Sequence, residues 1–184
     1  PAQAPSAEPG PATQEEIAPL SLGTDVNKIN AGRPGRIYFE KGDSPIRVPI
    51  IDTTTGTEVG HVGGSVSLGD AEIDPTGSFY YHCDSGVSYS HITKYDIRTD
   101  APVSVARTLQ HPYGSRNLLM SGDGSRLFWH GYVYDADLNE LSALGDEIYA
   151  TSLHGDLAFS KTRVYDSDDG AVVYTLPIST DVLA

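Results

Sequence analysis

The sequence predicts an all-β protein built from about four antiparallel sheets of four short strands, and three observations support this. Glycine-centred turns, aromatic strands and hydrophobic-Asp pairs recur four times in the same order. The aromatic and aliphatic residues stand in short runs bounded by Gly, Pro and Asp, as strands require. Sustained helical periodicity is absent, and the best helical candidate, DLNELSALGDEIYA, carries an internal glycine and fits two strands joined by a turn.

Residues 1–19, PAQAPSAEPGPATQEEIAP, differ in composition from the rest of the chain. They hold five of the twelve prolines and one large aliphatic residue, Ile17. Such a segment buries too little apolar surface to offset the entropy lost on ordering its backbone. We therefore expect an extended tail or linker over residues 1–19 and the repeats over residues 20–184. Tails of this kind follow export signals or join modules of surface proteins, so we expect an exported protein, periplasmic or extracellular.

Each repeat combines a glycine turn, an aromatic strand, a polar loop, a strand ending in hydrophobic-Asp, a second turn and an apolar strand. The glycine and aspartate landmarks of the four copies are Gly35 and Asp52, Gly77 and Asp96, Gly124 and Asp135, and Gly155 and Asp166. Short strands at roughly four per 40 residues make one blade of a four-stranded antiparallel sheet. The repeat therefore predicts about four blades of a β-propeller.

The first copy contains IYFEKGDSPIRVPIIDTTTGTEV, which resembles the bacterial YVTN type of propeller repeat. DPTGSFYY and SGDGSRLFW resemble the turn and strand shared by YVTN, lactonase-like and WD-like propellers. The resemblance covers residues 26–184 and implies a scaffold rather than a chemistry. Copies three and four lack the Thr-Gly turn, and copy four has His154-Gly155-Asp156 where Asp-Gly is expected. We therefore expect an irregular fourth blade.

The resemblance implies seven or eight blades in a complete ring, so four copies form only a part of one. AVVYTLPIS, after the last landmark aspartate, is predicted to be the first strand of a further blade. We expect the chain to belong to a larger propeller and its partners to be the remainder of that propeller or other protein subunits, because exposed sheet edges need cover. The alternative is a closed four-blade ring in which AVVYTLPIS lies beside VNKINAG.

The stretch VYDSDDG places Asp166, Asp168 and Asp169 in one short loop, and it has two interpretations. Carboxylates at this density could bind calcium, the one cofactor that the sequence suggests. The stretch also fills the position of IIDTTTG in the first copy, where threonines stand in place of the later aspartates. A strand-to-strand turn accounts for the stretch, since Asp accepts from backbone N–H groups and Gly tolerates positive φ.

The charge balance excludes several partners. The chain has 12 Lys and Arg against 25 Asp and Glu, a net charge of −13, which repels nucleic acid and anionic lipid surfaces. No run of 18 apolar residues is present, so we expect no membrane insertion. We expect the aspartate-bearing turns to gather on one face, on the premise that the turn after the outermost strand and the turn between the middle strands project together. Such a face could contact a cationic partner or divalent ions.

Other candidate residues have structural explanations. The six histidines show no HxH or HExxH spacing, and His82, Cys83 and His91 could hold copper or zinc only with a further ligand. Cys83, the single cysteine, is expected to be a small buried hydrophobe. No GxSxG nucleophile motif occurs.

Three function classes remain open. The first, which we favour, is a non-catalytic binding or scaffold module that mediates protein–protein or ligand contacts. The second is a propeller-type enzyme such as a lactonase, lyase or quinoprotein dehydrogenase, although no convergent His, Glu or Arg constellation repeats at the blade starts. The third is a structural subunit of a surface layer, filament or larger complex.

Overall fold

A computed structural model describes residues 26–41, 46–66, 69–84, 89–109, 115 and 117–177. These residues form four four-stranded antiparallel sheets, which confirms the all-β prediction. Within them no helix occurs, and so none that is long and apolar enough to span a membrane. The predicted tail, residues 1–19, lies outside the described residues.

The four sheets are the predicted blades, and each is a simple meander from an inner to an outer strand. Blade 1 comprises β1 (Val26–Ala31), β2 (Arg36–Lys41), β3 (Ile46–Asp52) and β4 (Glu58–Val66). Blade 2 comprises β5 (Gly69–Ile73), β6 (Phe79–Asp84), β7 (Ile92–Asp96) and β8 (Val103–Arg107). Blade 3 comprises β9 (Leu118–Met120), β10 (Arg126–Trp129), β11 (Tyr132–Asp135) and β12 (Glu140–Ala143). Blade 4 comprises β13 (Ala150–Thr151), β14 (Leu157–Phe159), β15 (Arg163–Asp166) and β16 (Val172–Thr175).

The core lies between neighbouring blades, because successive side chains of each strand point to opposite faces of its sheet. In β6, Tyr80 belongs to the apolar cluster shared with blade 1, whereas Tyr81 belongs to the cluster shared with blade 3. Cys83 is buried in that second cluster, as expected. A third cluster joins blades 3 and 4 through Phe128 and Tyr165. The middle strands are therefore apolar on both faces, which explains their continuous aromatic runs.

The hydrophobic-Asp landmarks end the third strand of each blade and begin the turn to the fourth. The Asp52 Oδ1 atom accepts hydrogen bonds from the backbone N–H groups of Thr54 and Thr55, at 2.8 and 3.0 Å. The Asp166 Oδ1 atom accepts from the N–H of Asp168 at 2.8 Å in the same way. Gly170 has a φ of 73°. The turn interpretation of VYDSDDG is thus confirmed.

The AVVYTLPIS prediction is wrong. Val172–Thr175 of this stretch form β16, which pairs antiparallel with β15 as the outermost strand of blade 4. The strand therefore neither opens a further blade nor lies beside β1, as the closed-ring alternative required. The sequence repeat begins at the turn before the second strand of each blade. Its last apolar strand is therefore the fourth strand of the same blade, and not the first strand of the next one.

Two further expectations need correction. The fourth blade is not irregular at its first turn: the Gly155 N–H donates to the Ser152 carbonyl at 3.0 Å, as the Gly124 N–H donates to that of Ser121 at 2.9 Å in blade 3. The premise about which turns share a face was also wrong. In a four-stranded meander the first and third turns share one end, and the middle turn lies at the other with the links between blades. The aspartates that the prediction concerned lie at the first and third turns, and we call this end the aspartate face. Its aspartates are Asp52, Asp74, Asp96, Asp100, Asp123, Asp135, Asp137, Asp156, Asp166, Asp168 and Asp169.

Candidate ligand-binding groove

A groove opens between blades 3 and 4 at the end opposite the aspartate face. One wall is the two-residue turn between β10 and β11, where His130 and Gly131 have φ values of 52° and 78°. Positive φ at both positions is typical of a type I′ turn, which matches the twist of the paired strands. The turn exposes the His130 side chain at the rim.

The other wall is the link between β12 and β13. Leu144 and Ile148 are buried in the cluster between blades 3 and 4, so they anchor the link at both ends. The Leu144 N–H also donates to the Gly131 carbonyl at 2.7 Å, which joins the two walls. Asp146 and Glu147 lie between the anchors and line the opening.

Two adjoining cavities make up the groove. The larger has a volume of about 530 Å³, within the range of small-ligand sites. The smaller has a volume of about 200 Å³ and shares Asp146 and Glu147 with it. The lining residues of the larger cavity are Ser115, His130, Gly131, Tyr132, Ala143, Gly145, Asp146 and Glu147. Those that only the smaller cavity adds are Tyr149, Ser160, Lys161 and Thr162.

Hydroxyl groups hold both carboxylates in place. The Ser115 hydroxyl donates to Glu147 Oε1 at 2.5 Å and the Tyr149 hydroxyl donates to Oε2 at 2.9 Å. The Ser115 hydrogen bond is the main cause that lowers the pKa of Glu147. The Tyr165 hydroxyl donates to Asp146 Oδ2 at 2.6 Å, and this bond is the main cause that lowers the pKa of Asp146. Both groups are therefore ionised at neutral pH.

This arrangement favours binding over proton transfer. A carboxylate with a lowered pKa accepts hydrogen bonds, but it is deprotonated and therefore no general acid, and it is also a weak general base, because efficient proton transfer needs a pKa near the operating pH. Beside the carboxylates, the ring of Tyr149 is 46% exposed and carries the Lys161 ammonium 5.0 Å from its centroid. The Arg163 Nη1 atom lies 3.8 Å from Asp146 Oδ2, so two cations stand near the carboxylates. The acceptors and the aromatic surface suit a ligand rich in hydrogen-bond donors, such as hydroxyls or amines.

This groove was not predicted from the sequence. Asp146 and Glu147 lie within DLNELSALGDEIYA, which was predicted to form two strands with a turn. The stretch contains β12 and the first residue of β13, which belong to different blades and are joined by the link. The one feature of the sequence that indicates the groove is a pair of carboxylates between two apolar residues in a link between blades. Their partners Ser115 and Tyr165 are distant in sequence, so no local pattern could reveal the hydrogen bonds.

The predicted calcium residues have separate partners. Asp166 accepts from its own turn, Asp169 accepts from the Ala171 N–H at 2.8 Å, and Asp168 pairs with Arg126 of blade 3 at 2.6 Å. Among the residues that the structure describes, no three His, Cys, Asp or Glu side chains are grouped to hold a metal ion. Calcium binding by VYDSDDG stays an untested prediction.

Cations lie among the carboxylates of the aspartate face, namely Arg33, Arg36, Lys94, Arg98 and Arg126. Arg33 pairs with Asp100, and Lys94 of blade 2 pairs with Asp137 of blade 3 at 2.8 Å. Many of its carboxylates thus join one blade to the next or cap turns instead of facing a partner.

His82 and His91 both lie beside Asp84. The His91 Nε2 atom lies 2.9 Å from Asp84 Oδ2, and the His82 Nδ1 atom lies 3.8 Å from Oδ1. Burial lowers the pKa of His82 to about 4. His82 is therefore a neutral core residue at physiological pH.

Comparisons with known proteins agree with the fold. No family model matches the chain, and no curated protein matches it. Among solved structures, the chain is similar to "Kuenenia stuttgartiensis Hydrazine Synthase", with a TM-score of 0.59, 16% identity, and coverage of 79% of this chain and 47% of that chain. It is also similar to "KlHsv2 with loop 6CD replaced by a Gly-Ser linker", with a TM-score of 0.56, 13% identity, and coverage of 82% and 52%.

This chain spans about half the length of each of these two structures. At such low identity the likeness extends to the fold alone. Together with the four antiparallel sheets, it establishes that the chain is built of β-propeller blades.

Proposed function

We propose that this chain is a non-catalytic binding module of an exported protein, and that the groove between blades 3 and 4 receives a donor-rich ligand or partner segment. The observation that carries the proposal is the pair of ionised carboxylates, Asp146 and Glu147, at the junction of two cavities. The composition of residues 1–19 supports export. The partners proposed are other protein subunits or the remainder of a larger propeller of the YVTN type.

The rigidity of the groove supports a binding role. Its walls are a tight turn and a link anchored by Leu144 and Ile148, so the carboxylates keep their positions before a ligand arrives. A preformed site loses less conformational entropy when it binds.

Nuclear magnetic resonance titration tests the proposal with two defined probes, a tetralysine peptide and the neutral sugar cellotetraose. We expect at least one probe to shift the amide signals of His130, Glu147 and Lys161 together. Glu147→Gln should weaken that binding about tenfold, since it removes the charge and keeps the shape.

The matched control is Glu140→Gln, an exposed glutamate of blade 3 that does not line the groove. It should bind the probe as the unmodified chain does. If neither probe shifts the groove signals, or if both variants lose binding equally, the groove is not the binding site.

A further inference from the structure

The outermost strand of blade 4 differs from the other three outermost strands. β16 reads VVYT and carries no charge, whereas β4, β8 and β12 contain Glu58, Arg107 and Glu140. The three large side chains of β16 are about half exposed, with Val172 at 49%, Val173 at 53% and Tyr174 at 57%. Charged residues are a common means of protecting an edge strand from pairing, and β16 lacks them.

β16 is also an open edge. It pairs with β15 on one side, and on the other side no strand in the described part of the chain pairs with it. Its sequence consists of β-branched and aromatic residues, which favour strand pairing. The pairing of β16 with β15 has a bulge at Val173, and the pairing of the other three outermost strands is also shifted, so the bulge does not distinguish β16 from them. The outer edge of β16 still presents backbone groups to a further strand.

We infer that β16 pairs antiparallel with β16 of a second copy, which forms a two-fold dimer with one sheet continuous across both copies. In the centred register, Val172 lies opposite Thr175 and Val173 lies opposite Tyr174 of the second copy. Pairs of an aromatic and a β-branched residue are favourable across strands. A two-fold axis between identical strands generates both sets of contacts at once.

The charges at the two ends of β16 favour antiparallel pairing with β16 of a second copy. The strand begins after Asp168 and Asp169, whereas its last residue, Thr175, pairs with Arg163. Asp168 is already paired with Arg126 at 2.6 Å and Arg163 lies 3.8 Å from Asp146, so the charges that act across the edge are Asp169 at one end and Lys161 at the other. Lys161 precedes Thr162, whose carbonyl accepts the Leu176 N–H at 2.8 Å, so it lies at the same end. Antiparallel pairing brings the acidic end of each copy beside the basic end of the other. Parallel pairing would place like charges together.

Sedimentation equilibrium of the full chain from about 10 µM to about 1 mM tests the dimer, since a contact of this size is weak. We expect the mean mass to rise toward twice that of one chain. Val173→Lys should raise the dissociation constant at least about tenfold. The matched control is Val105→Lys on β8, where the valine is 52% exposed, and it should leave the dissociation constant unchanged.

A charge exchange tests the orientation. Asp169→Lys and Lys161→Glu should each weaken the dimer, and the double variant should restore it. Circular dichroism shows whether each variant is folded. A chain that stays monomeric throughout, or a dimer that Val173→Lys weakens no more than Val105→Lys does, overturns the inference.

Discussion

The Arg126 Nη2 atom lies 2.6 Å from Asp168 Oδ1 and joins the second strand of blade 3 to the last turn of blade 4. Arg36 reaches Asp100 in the same way between blades 1 and 2, with its Nε atom 2.8 Å from the carboxylate. In blade 2 the equivalent position is Phe79, and the Lys94 ammonium, 4.1 Å from the Phe79 ring centroid, reaches blade 3 instead. Each of the first three blades therefore places a cation on an aspartate of the following blade, and in blade 1 Arg33 joins Arg36 at Asp100.

A double-mutant cycle measures this link. We expect Arg126→Met and Asp168→Asn to couple by about 0.5 kcal/mol, a modest value because Asp168 is largely exposed and solvent screens the pair. The coupling should fall as salt increases. The control cycle combines Arg126→Met with Asp169→Asn, because the Asp169 carboxylate accepts a hydrogen bond from its own turn. Equal coupling in both cycles would show that general charge, rather than the contact, is responsible.

The turn of VYDSDDG requires glycine at its end. A Cβ atom on Gly170 would lie 2.7 Å from the Ala143 carbonyl oxygen, and its φ is 73°. Gly145 has a similar φ of 78° and open space around it. We expect Gly145→Ala to lower the free energy of unfolding by about 1 kcal/mol, from backbone strain alone, and Gly170→Ala to lower it by clearly more. Urea unfolding measures both, and equal losses would contradict the close approach to blade 3.

Calcium should leave the melting temperature unchanged, because Asp166, Asp168 and Asp169 each have a separate partner. Melting in calcium and in chelator, for the chain and for the variant with all three aspartates replaced by Asn, checks this. A calcium-dependent rise that the variant abolishes would instead identify VYDSDDG as a calcium site, since a ligand that binds the native state stabilises it.

His82 should make stability depend on pH. Burial lowers its pKa from 6.5 to about 4, against the smaller opposing effect of the neighbouring Asp84 and Asp70. Between these two pKa values, His82 is protonated in the unfolded state and neutral in the native state. The native state therefore has its full stability with respect to His82 above about pH 6.5 and loses free energy of unfolding as the pH falls towards 4. The loss amounts to at most about 3 kcal/mol.

Urea unfolding between pH 7 and pH 4 measures this dependence. His82→Gln should flatten the curve over this interval. Replacement of His61, whose side chain is exposed, should leave it unchanged. A curve that keeps its slope in His82→Gln would assign the dependence to other groups.

The fold class and the repeat unit could be predicted from the sequence. The landmarks Asp52 and Asp166 recur because every blade makes the same turn, in which the carboxylate accepts from backbone N–H groups a few residues ahead. The apolar runs recur because a middle strand is buried on both faces. Because these constraints are local or periodic, they can be recognised in the amino-acid sequence.

The end of each blade and the contacts between distant side chains could not be predicted from the sequence, because they depend on tertiary packing. Val172–Thr175 was assigned to the wrong blade, since an apolar strand pattern does not name its partner strand. Asp146 became part of a groove only when Tyr165, distant along the chain, donated a hydrogen bond to it. Pairing between distant strands is set by packing between blades, and for that reason the scaffold could be predicted while the groove could not.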